Sequence, residues 1–215
     1  MSDVEAEKRA AGEAAAALVP DGARVGLGTG STVAYVLPAL AARGLRLRCV
    51  ATSPRTQATA EALGLDVEPF DALDRLDVAI DGADQVTPER WLVKGGGGAH
   101  TREKIVAAAA DRFVVIASSD KDVERLRPPV PLELLTFGLE ATLRALGEAR
   151  VRAGAPPSPD GGVIADFHGA LDDPAALAAR LDSMPGVVDH GLFEPRLVSD
   201  VLVARDGRVD HRTAI

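Results

Sequence analysis

The stretch ARVGLGTGSTVAYVLPALAA, residues 23–42, carries the pattern that decides the fold. Ala23 to Leu27 is a short apolar run closed by glycine, the mark of a buried strand. Gly28 to Gly30 reads as a tight turn and Ser31 to Ala42 as the helix after it, with Pro38 expected to kink or shorten that helix. The same rhythm extends in both directions. Upstream, Ser2 and Glu5 stand at capping-box spacing before an alanine-rich helix that Pro20-Asp21-Gly22 ends. Downstream come a strand over Leu47 to Ala51, a helix through Thr56 to Leu63, a strand over Leu76 to Ile80, a helix from Thr101 to Ala110 and a strand over Phe113 to Ala117. Strands alternating with helices build βα units, hence a mostly parallel sheet in an α/β fold.

After Arg127-Pro128-Pro129 the pattern changes. A strand over Leu132 to Thr136, a helix over Leu139 to Leu146, a Pro- and Gly-rich loop, and a strand over Gly162 to Phe167 predict a smaller α+β unit. A helix over Pro174 to Leu181 and one strand across Val187 to Phe193 complete it. Val198 to Ala204 and Arg208 to His211, joined through Asp206-Gly207, read as a hairpin returning to the main sheet.

Composition narrows the function classes. Hydrophobic residues make up 47% of the 215 but aromatics only 3%, so the core is aliphatic and helices on sheet are favoured over a β-sandwich. A net charge of −8 without a cluster of Lys and Arg disfavours a nucleic-acid surface. No apolar run reaches membrane-spanning length and no signal peptide is visible, so a cytoplasmic protein is expected. Cys49, alone and within an apolar strand, reads as a buried inert thiol.

Three segments carry chemistry. Gly28-Thr29-Gly30-Ser31-Thr32 brings backbone amides and hydroxyls to a helix N-terminus, which suits an anion but equally suits a close-packed turn with an N-cap. A dinucleotide site fits less well, since Ser31 takes the third glycine's place and no acid ends the second strand. Asp81-Gly82-Ala83-Asp84 sets two carboxylates at a strand's C-terminal end, where open α/β sheets bind ligands, though Asp-Gly is also a plain turn signal. Lys94-Gly95-Gly96-Gly97-Gly98 is a costly, permissive loop that makes sense where backbone wraps a ligand. The helix after it, with Thr101 and Lys104, aims Glu103 back toward that loop, unless Glu103 only answers the helix dipole. His100, His168, His190 and His211 show no metal-ligand spacing, so no metal and no cofactor are expected.

Together these segments and Ser119-Asp120-Lys121 resemble the type A ribose-5-phosphate isomerase family in content, order and spacing. The resemblance continues through Pro131-Leu132-Glu133, Pro185-Gly186-Val187-Val188 and Gly191-Leu192-Phe193. It implies a Rossmann-like domain over 1–127, completed by 198–215, with a ferredoxin-like α+β domain inserted at 128–197. It also implies a homodimer and a metal-free aldose-ketose isomerase acting on a small sugar phosphate. Glu103 is then the base and Thr29, Gly30, Ser31 and Thr32 the substrate-binding turn. Further contacts fall on Asp81, Gly82, Ala83, Asp84, Lys94, Gly95, Gly96, Gly97 and Lys121, with Lys8 near the phosphate. Gln85 and His100 depart from the family pattern, which has an acid and commonly Leu there. Moving a proton between C2 and C1 needs one carboxylate and a positive group beside the oxyanion, roles suited to Glu103 and Lys94. Asp81 is the candidate for opening the sugar ring, with Asp84 orienting hydroxyls. A non-catalytic sugar-phosphate sensor of related fold would not need Glu103 and Lys94 together, and related deaminases and coenzyme A transferases lack the run from Lys94 to Lys104.

Overall fold

The computed structural model describes residues 3–73 and 75–214; Ser2, and with it the expected capping box, lies outside the described residues. The chain opens with α1 (Asp3–Ala17), β1 (Arg24–Leu27), α2 (Val33–Ala42), β2 (Arg48–Ala51) and α3 (Pro54–Ala62). It continues with β3 (Val78–Gly82), β4 (Gln85–Val86), β5 (Leu92–Val93), α4 (His100–Ala108) and β6 (Phe113–Ser118). Next come β7 (Val130–Leu134), α5 (Leu139–Leu146), β8 (Ala149–Val151), β9 (Val163–Phe167) and α6 (Pro174–Asp182). It ends with β10 (Val187–His190), β11 (Leu192–Phe193), β12 (Asp200–Arg205) and β13 (Arg208–Thr213). These elements divide into two compact units, one of residues 1–83, 102–122 and 196–215, the other of 84–101 and 123–195.

The first unit is built on a six-stranded sheet in the order β13-β12-β6-β3-β1-β2, parallel except for β13. Successive side chains leave a strand on opposite faces, and here the two faces differ in kind. Val25, Leu27, Val78, Ile80, Val114 and Ile116 are buried with Ala11 and Ala15 of α1 and Val36 and Leu40 of α2. Each such fully buried Val, Leu or Ile side chain contributes about 1.5–3 kcal/mol. On the opposite face Gly26 offers no side chain, and a Cβ there would lie 2.4 Å from Val106 Cγ1 of α4. Glycine thus lets α4 approach β1 closely. The hairpin β12–β13 turns through Asp206 and Gly207 at φ 50° and 74°, the left-handed pair of a type I′ turn, and joins the sheet as expected.

Local signals explain most boundaries. Ser53 caps α3 by accepting from Thr56 N at 3.2 Å, and Pro54 fills the first helical position, so α3 begins earlier than the Thr56 expected. Helix α2 runs through Pro38 to Ala42 rather than stopping there. Cys49 is buried in β2, and burial pushes its thiol up to about 12, as an inert thiol requires. No helix among the described residues is long and apolar enough to cross a membrane.

The second unit runs β7-α5-β8-β9-α6-β10, with its antiparallel sheet ordered β10-β7-β9-β8, the ferredoxin-like arrangement. Leu132, Leu134, Ala165 and Phe167 of the sheet pack with Leu146, Leu177 and Leu181 of the helices. Strand β8 gave no sequence signal because it is a three-residue edge strand with two exposed residues. The strand expected across Val187 to Phe193 is two strands in different sheets. Gly191 separates them: its amide donates to Pro131 O at 2.7 Å, and a Cβ there would lie 2.1 Å from Lys94 O. Strand β11 then pairs with β5, and β5 with β4. That three-stranded sheet brings residues 84–101, expected in the first domain, into the second unit.

One ion-pair group ties the sheet edge of the first unit. Asp200, buried in β12, takes Arg112 Nε at 2.6 Å and Nη2 at 2.9 Å, with His211 Nε2 2.6 Å away. The Arg112 hydrogen bonds, reinforced by His211, hold the Asp200 carboxyl below the usual range against burial. A depressed carboxylate stabilises the fold above its unfolded pKa of about 3.9, and that stability is lost as pH falls through the folded value. Asp200→Asn is therefore expected to cost about 1.5–3 kcal/mol at neutral pH, with the gap closing below about pH 4. Denaturant midpoints across pH check this, and a gap that persists in acid would remove the ionic contribution.

Candidate active site

The first unit places its candidate residues at the C-terminal end of β1 and β3. Asp81, predicted to follow β3, is instead inside it, paired with Val115, so the plain turn reading of Asp81-Gly82 does not hold. Its carboxylate lies against the backbone of Gly28, where a Cβ would sit 2.1 Å from both Cγ and Oδ1. Thr29 N and Gly82 N donate to Asp81 Oδ1 at 3.1 and 2.7 Å. The turn itself is braced from below: Gly28 N donates to Ile80 O at 2.9 Å, and Thr56 Oγ1 donates to Gly28 O at 2.9 Å. Thr29 Oγ1 and Thr52 Oγ1 are 2.8 Å apart. Ser31 and Thr32 then lead into α2, and Thr32, at the N-cap, makes no capping bond with its hydroxyl. The first amides of a helix point outward along its axis, so this end of α2 favours an anion.

Glu103 stands on the same side of the sheet. Val106 of α4 packs over Gly26, and Glu103, three residues earlier, shares that face of the helix. The C-terminal end of α4 is tied to the N-terminal edge of the sheet by Leu76 N donating to Ala109 O and Asp111 N to Leu76 O. Its first turn therefore lies toward the C-terminal edge, where Asp81 is the last residue but one of β3. Both carboxylates are buried, Glu103 4% and Asp81 3% exposed. Two buried acids on one face, near a turn whose amides can receive an anion, have the chemistry that proton transfer on an anionic substrate requires.

The second unit carries Asp84, Lys94 and the glycine loop. Exposed Asp84 accepts from Gly96 N at 2.8 Å through Oδ2, and a Cβ on Gly96 would meet the same carboxylate at 2.8 Å. Lys94 is 2% exposed, its amide donating to Gly191 O at 2.8 Å and its ammonium 5.5 Å from the centre of the Phe193 ring. Gly95 and Gly98 adopt φ 99° and 74°, which glycine alone takes without strain. Gly97 lies exposed at the loop tip. Asp182, Asp189 and His190 are the one group among the described residues close enough to share a metal ion, and the His190 ring is already engaged, Nδ1 by Leu192 N and Nε2 by Asp182.

The profile of the family described as ribose 5-phosphate isomerase A (phosphoriboisomerase A) matches residues 48–208. The chain belongs to the ribose 5-phosphate isomerase A family. Among its relatives, the ribose-5-phosphate isomerase A of Nitrobacter hamburgensis is 46% identical over 209 residues, 88% of this chain and 90% of that one. That of Roseiflexus castenholzii is 45% identical over 219 residues, 94% of each. The solved ribose 5 phosphate isomerase A from Neisseria gonorrhoeae aligns over 100% of this chain and 99% of its own, with 31% identity and a TM-score of 0.94. A D-ribose-5-phosphate isomerase in complex with phospho-erythronic acid gives the same identity and TM-score over 99% and 100%.

Gln85 and His100, the two residues expected to depart from the family pattern, have structural roles. Gln85 donates through Nε2 to Arg127 O at 2.7 Å and accepts from Arg127 N at 2.8 Å, a two-way bond no ionised acid makes. His100, fully buried, packs on Gly95, whose Cβ would lie 2.6 Å from its Nδ1. The two outlying cations are held by neighbouring acids: Lys8 by Glu5 at 2.7 Å, Lys121 by Asp120 at 3.2 Å. Glu7 Oε2 accepts from Ser119 N and Oγ at 2.9 and 2.8 Å, tying α1 to the turn that carries Lys121. Thr52 and Thr56, which brace the turn, were missed, although Ser53-Pro54 marks their helix start. Arg152, which holds the glycine loop, had no motif around it.

Proposed function

We propose that this chain interconverts ribose 5-phosphate and ribulose 5-phosphate through an enediolate, as an enzyme of the non-oxidative pentose phosphate pathway. The observation that carries this reading is the buried pair Asp81 and Glu103 on one face of the sheet, beside the Gly28 to Thr32 turn. Glu103 takes the proton from C2 of the open aldose and returns it to C1. The ammonium of Lys94, nine residues earlier in the chain, balances the developing oxyanion. Asp81, its orientation set by Thr29 N and Gly82 N, moves a proton between ring oxygen and anomeric hydroxyl. Asp84 and the Gly95 to Gly97 backbone receive sugar hydroxyls. Thr29 to Thr32 bind the phosphate with Lys8 and Lys121, and that remote binding energy sets C1 and C2 against the base. Phospho-erythronic acid, bound by a relative, supports the reading, since its carboxylate is a planar anion like an enediolate. The enzyme acts in the cytoplasm as a homodimer, a stoichiometry that light scattering reads directly.

Purified protein, exhaustively chelated, is expected to convert ribose 5-phosphate to ribulose 5-phosphate at an unchanged rate, because a carboxylate and an ammonium supply the chemistry. Absence of turnover sinks the proposal. Turnover lost on chelation and restored by a divalent ion replaces Lys94 with a metal.

A further inference from the structure

The glycine loop carries groups assigned to the substrate, yet four consecutive glycines hold no shape by themselves. Each fixed residue costs about 1–2 kcal/mol of backbone entropy, and glycine costs the most. Gly96 and Gly97 are exposed, so packing does not set their conformation. One backbone bond, Gly98 N donating to Gly95 O at 3.0 Å, closes the turn, and charged side chains hold its outer peptide groups. The Gly96 amide is taken by Asp84 at 2.8 Å, while Arg152 Nη1 donates to the carbonyls of Gly95 at 3.1 Å and Gly96 at 2.9 Å. The other edge of the guanidinium is spent on Asp166: Nε to Oδ2 at 2.8 Å and Nη2 to Oδ1 at 2.5 Å. Arg152 N donates to Ile164 O at 2.9 Å, so its backbone is fixed beside β9. Asp166, in β9, pairs with Arg150 of β8. The chain of contacts runs from a rigid antiparallel ladder through one planar cation to two consecutive loop peptides.

We propose that Arg152 is a positioning residue for the isomerisation, clamping the Gly95 and Gly96 peptides so that Lys94 and Asp84 are held in their working places. This rests on the isomerase reading above. Only a guanidinium has the geometry: it forks on the carboxylate with one edge and reaches two carbonyls with the remaining nitrogen, whereas an ammonium is a point charge with three donors. The phosphate-binding turn belongs to other residues, so loosening the loop weakens the chemical step more than it weakens substrate capture.

The test compares wild type, Arg152→Ala and Arg152→Lys by amide hydrogen exchange over residues 94–98 and by steady-state turnover of ribose 5-phosphate. Arg152→Ala is expected to speed exchange in that segment while the β7 and β9 amides keep their protection. It should lower kcat by about 10- to 100-fold, the usual consequence of misplacing a reactive group by about an ångström, with a KM change of only a few-fold. Arg152→Lys should recover little of either. Guanidinium at sub-denaturing concentration should restore part of both losses in Arg152→Ala, and sodium chloride at equal strength should not. Wild-type exchange and kcat in Arg152→Ala overturn the proposal. So does a loss spread across the whole second unit that guanidinium does not repair. If the wild-type protein itself does not turn over ribose 5-phosphate, the isomerase reading fails, and unchanged loop exchange in Arg152→Ala then overturns the clamp as well.

Discussion

Glu103→Gln is expected to leave a folded protein that binds sugar phosphate and isomerises it about 10² to 10⁴-fold more slowly, or slower still. Positioned general-base catalysis contributes on that order, roughly 3–5 kcal/mol at the transition state. The amide keeps the volume of a side chain that is 4% exposed, so packing in the first turn of α4 is preserved while basicity is removed. Were Glu103 only an acid favoured by the helix dipole, neutralising it would cost about 0.3–1 kcal/mol of stability and leave the rate near wild type. Incubation in deuterated water separates the two, since loss of the base slows both product formation and label uptake at the reacting carbons. A variant with wild-type exchange of label removes Glu103 from the proton path.

Gly28→Ala is expected to lower kcat/KM by about 100-fold through a residue it does not replace. The new methyl would lie 2.1 Å from Asp81 Cγ and Oδ1, well inside contact distance. Asp81 cannot step aside without losing the bonds from Thr29 N and Gly82 N, and the turn cannot move without losing those from Gly28 N and Thr56 Oγ1. Overpacking of this kind costs about 1–3 kcal/mol of stability, and a carboxylate displaced by about an ångström costs about 100-fold in rate. Because both act on one group, Gly28→Ala and Asp81→Asn should be far from additive. Fully additive losses in the double variant would show that the methyl damages something other than Asp81.

The β1–turn–α2 unit was legible in the sequence because buried parallel strands are apolar runs and glycines mark where backbone approaches closely. The ferredoxin-like unit was legible through its longer strands and helices. What escaped were elements too short to have a period: β4, β5 and β11 are two residues each, and β8 is three. Their omission placed residues 84–101 with the wrong neighbours, because membership there is decided by pairing across the chain rather than by local pattern. The same holds for the site. Glu103, Asp81 and Lys94 stand in dense local motifs, whereas Arg152 follows an edge strand and reaches loop peptides 56 and 57 residues away. Side chains that act on distant backbone leave no periodic or compositional trace near themselves.

The break at Gly191 also governs when the loop with Lys94 takes shape. The Lys94 amide is held by Gly191 O, and the short strand before it pairs with Leu192 and Phe193, about a hundred residues further along. Closing so long a loop is slow relative to local helix formation, and the entropy it costs is recovered only after the ends meet. On a ribosome adding about 5–20 residues per second, α4 and its glutamate are complete several seconds before Gly191 has been made. The nascent chain therefore carries Glu103 in its helix before the Lys94 amide has its acceptor, and the loop takes its shape only once Gly191 has been made.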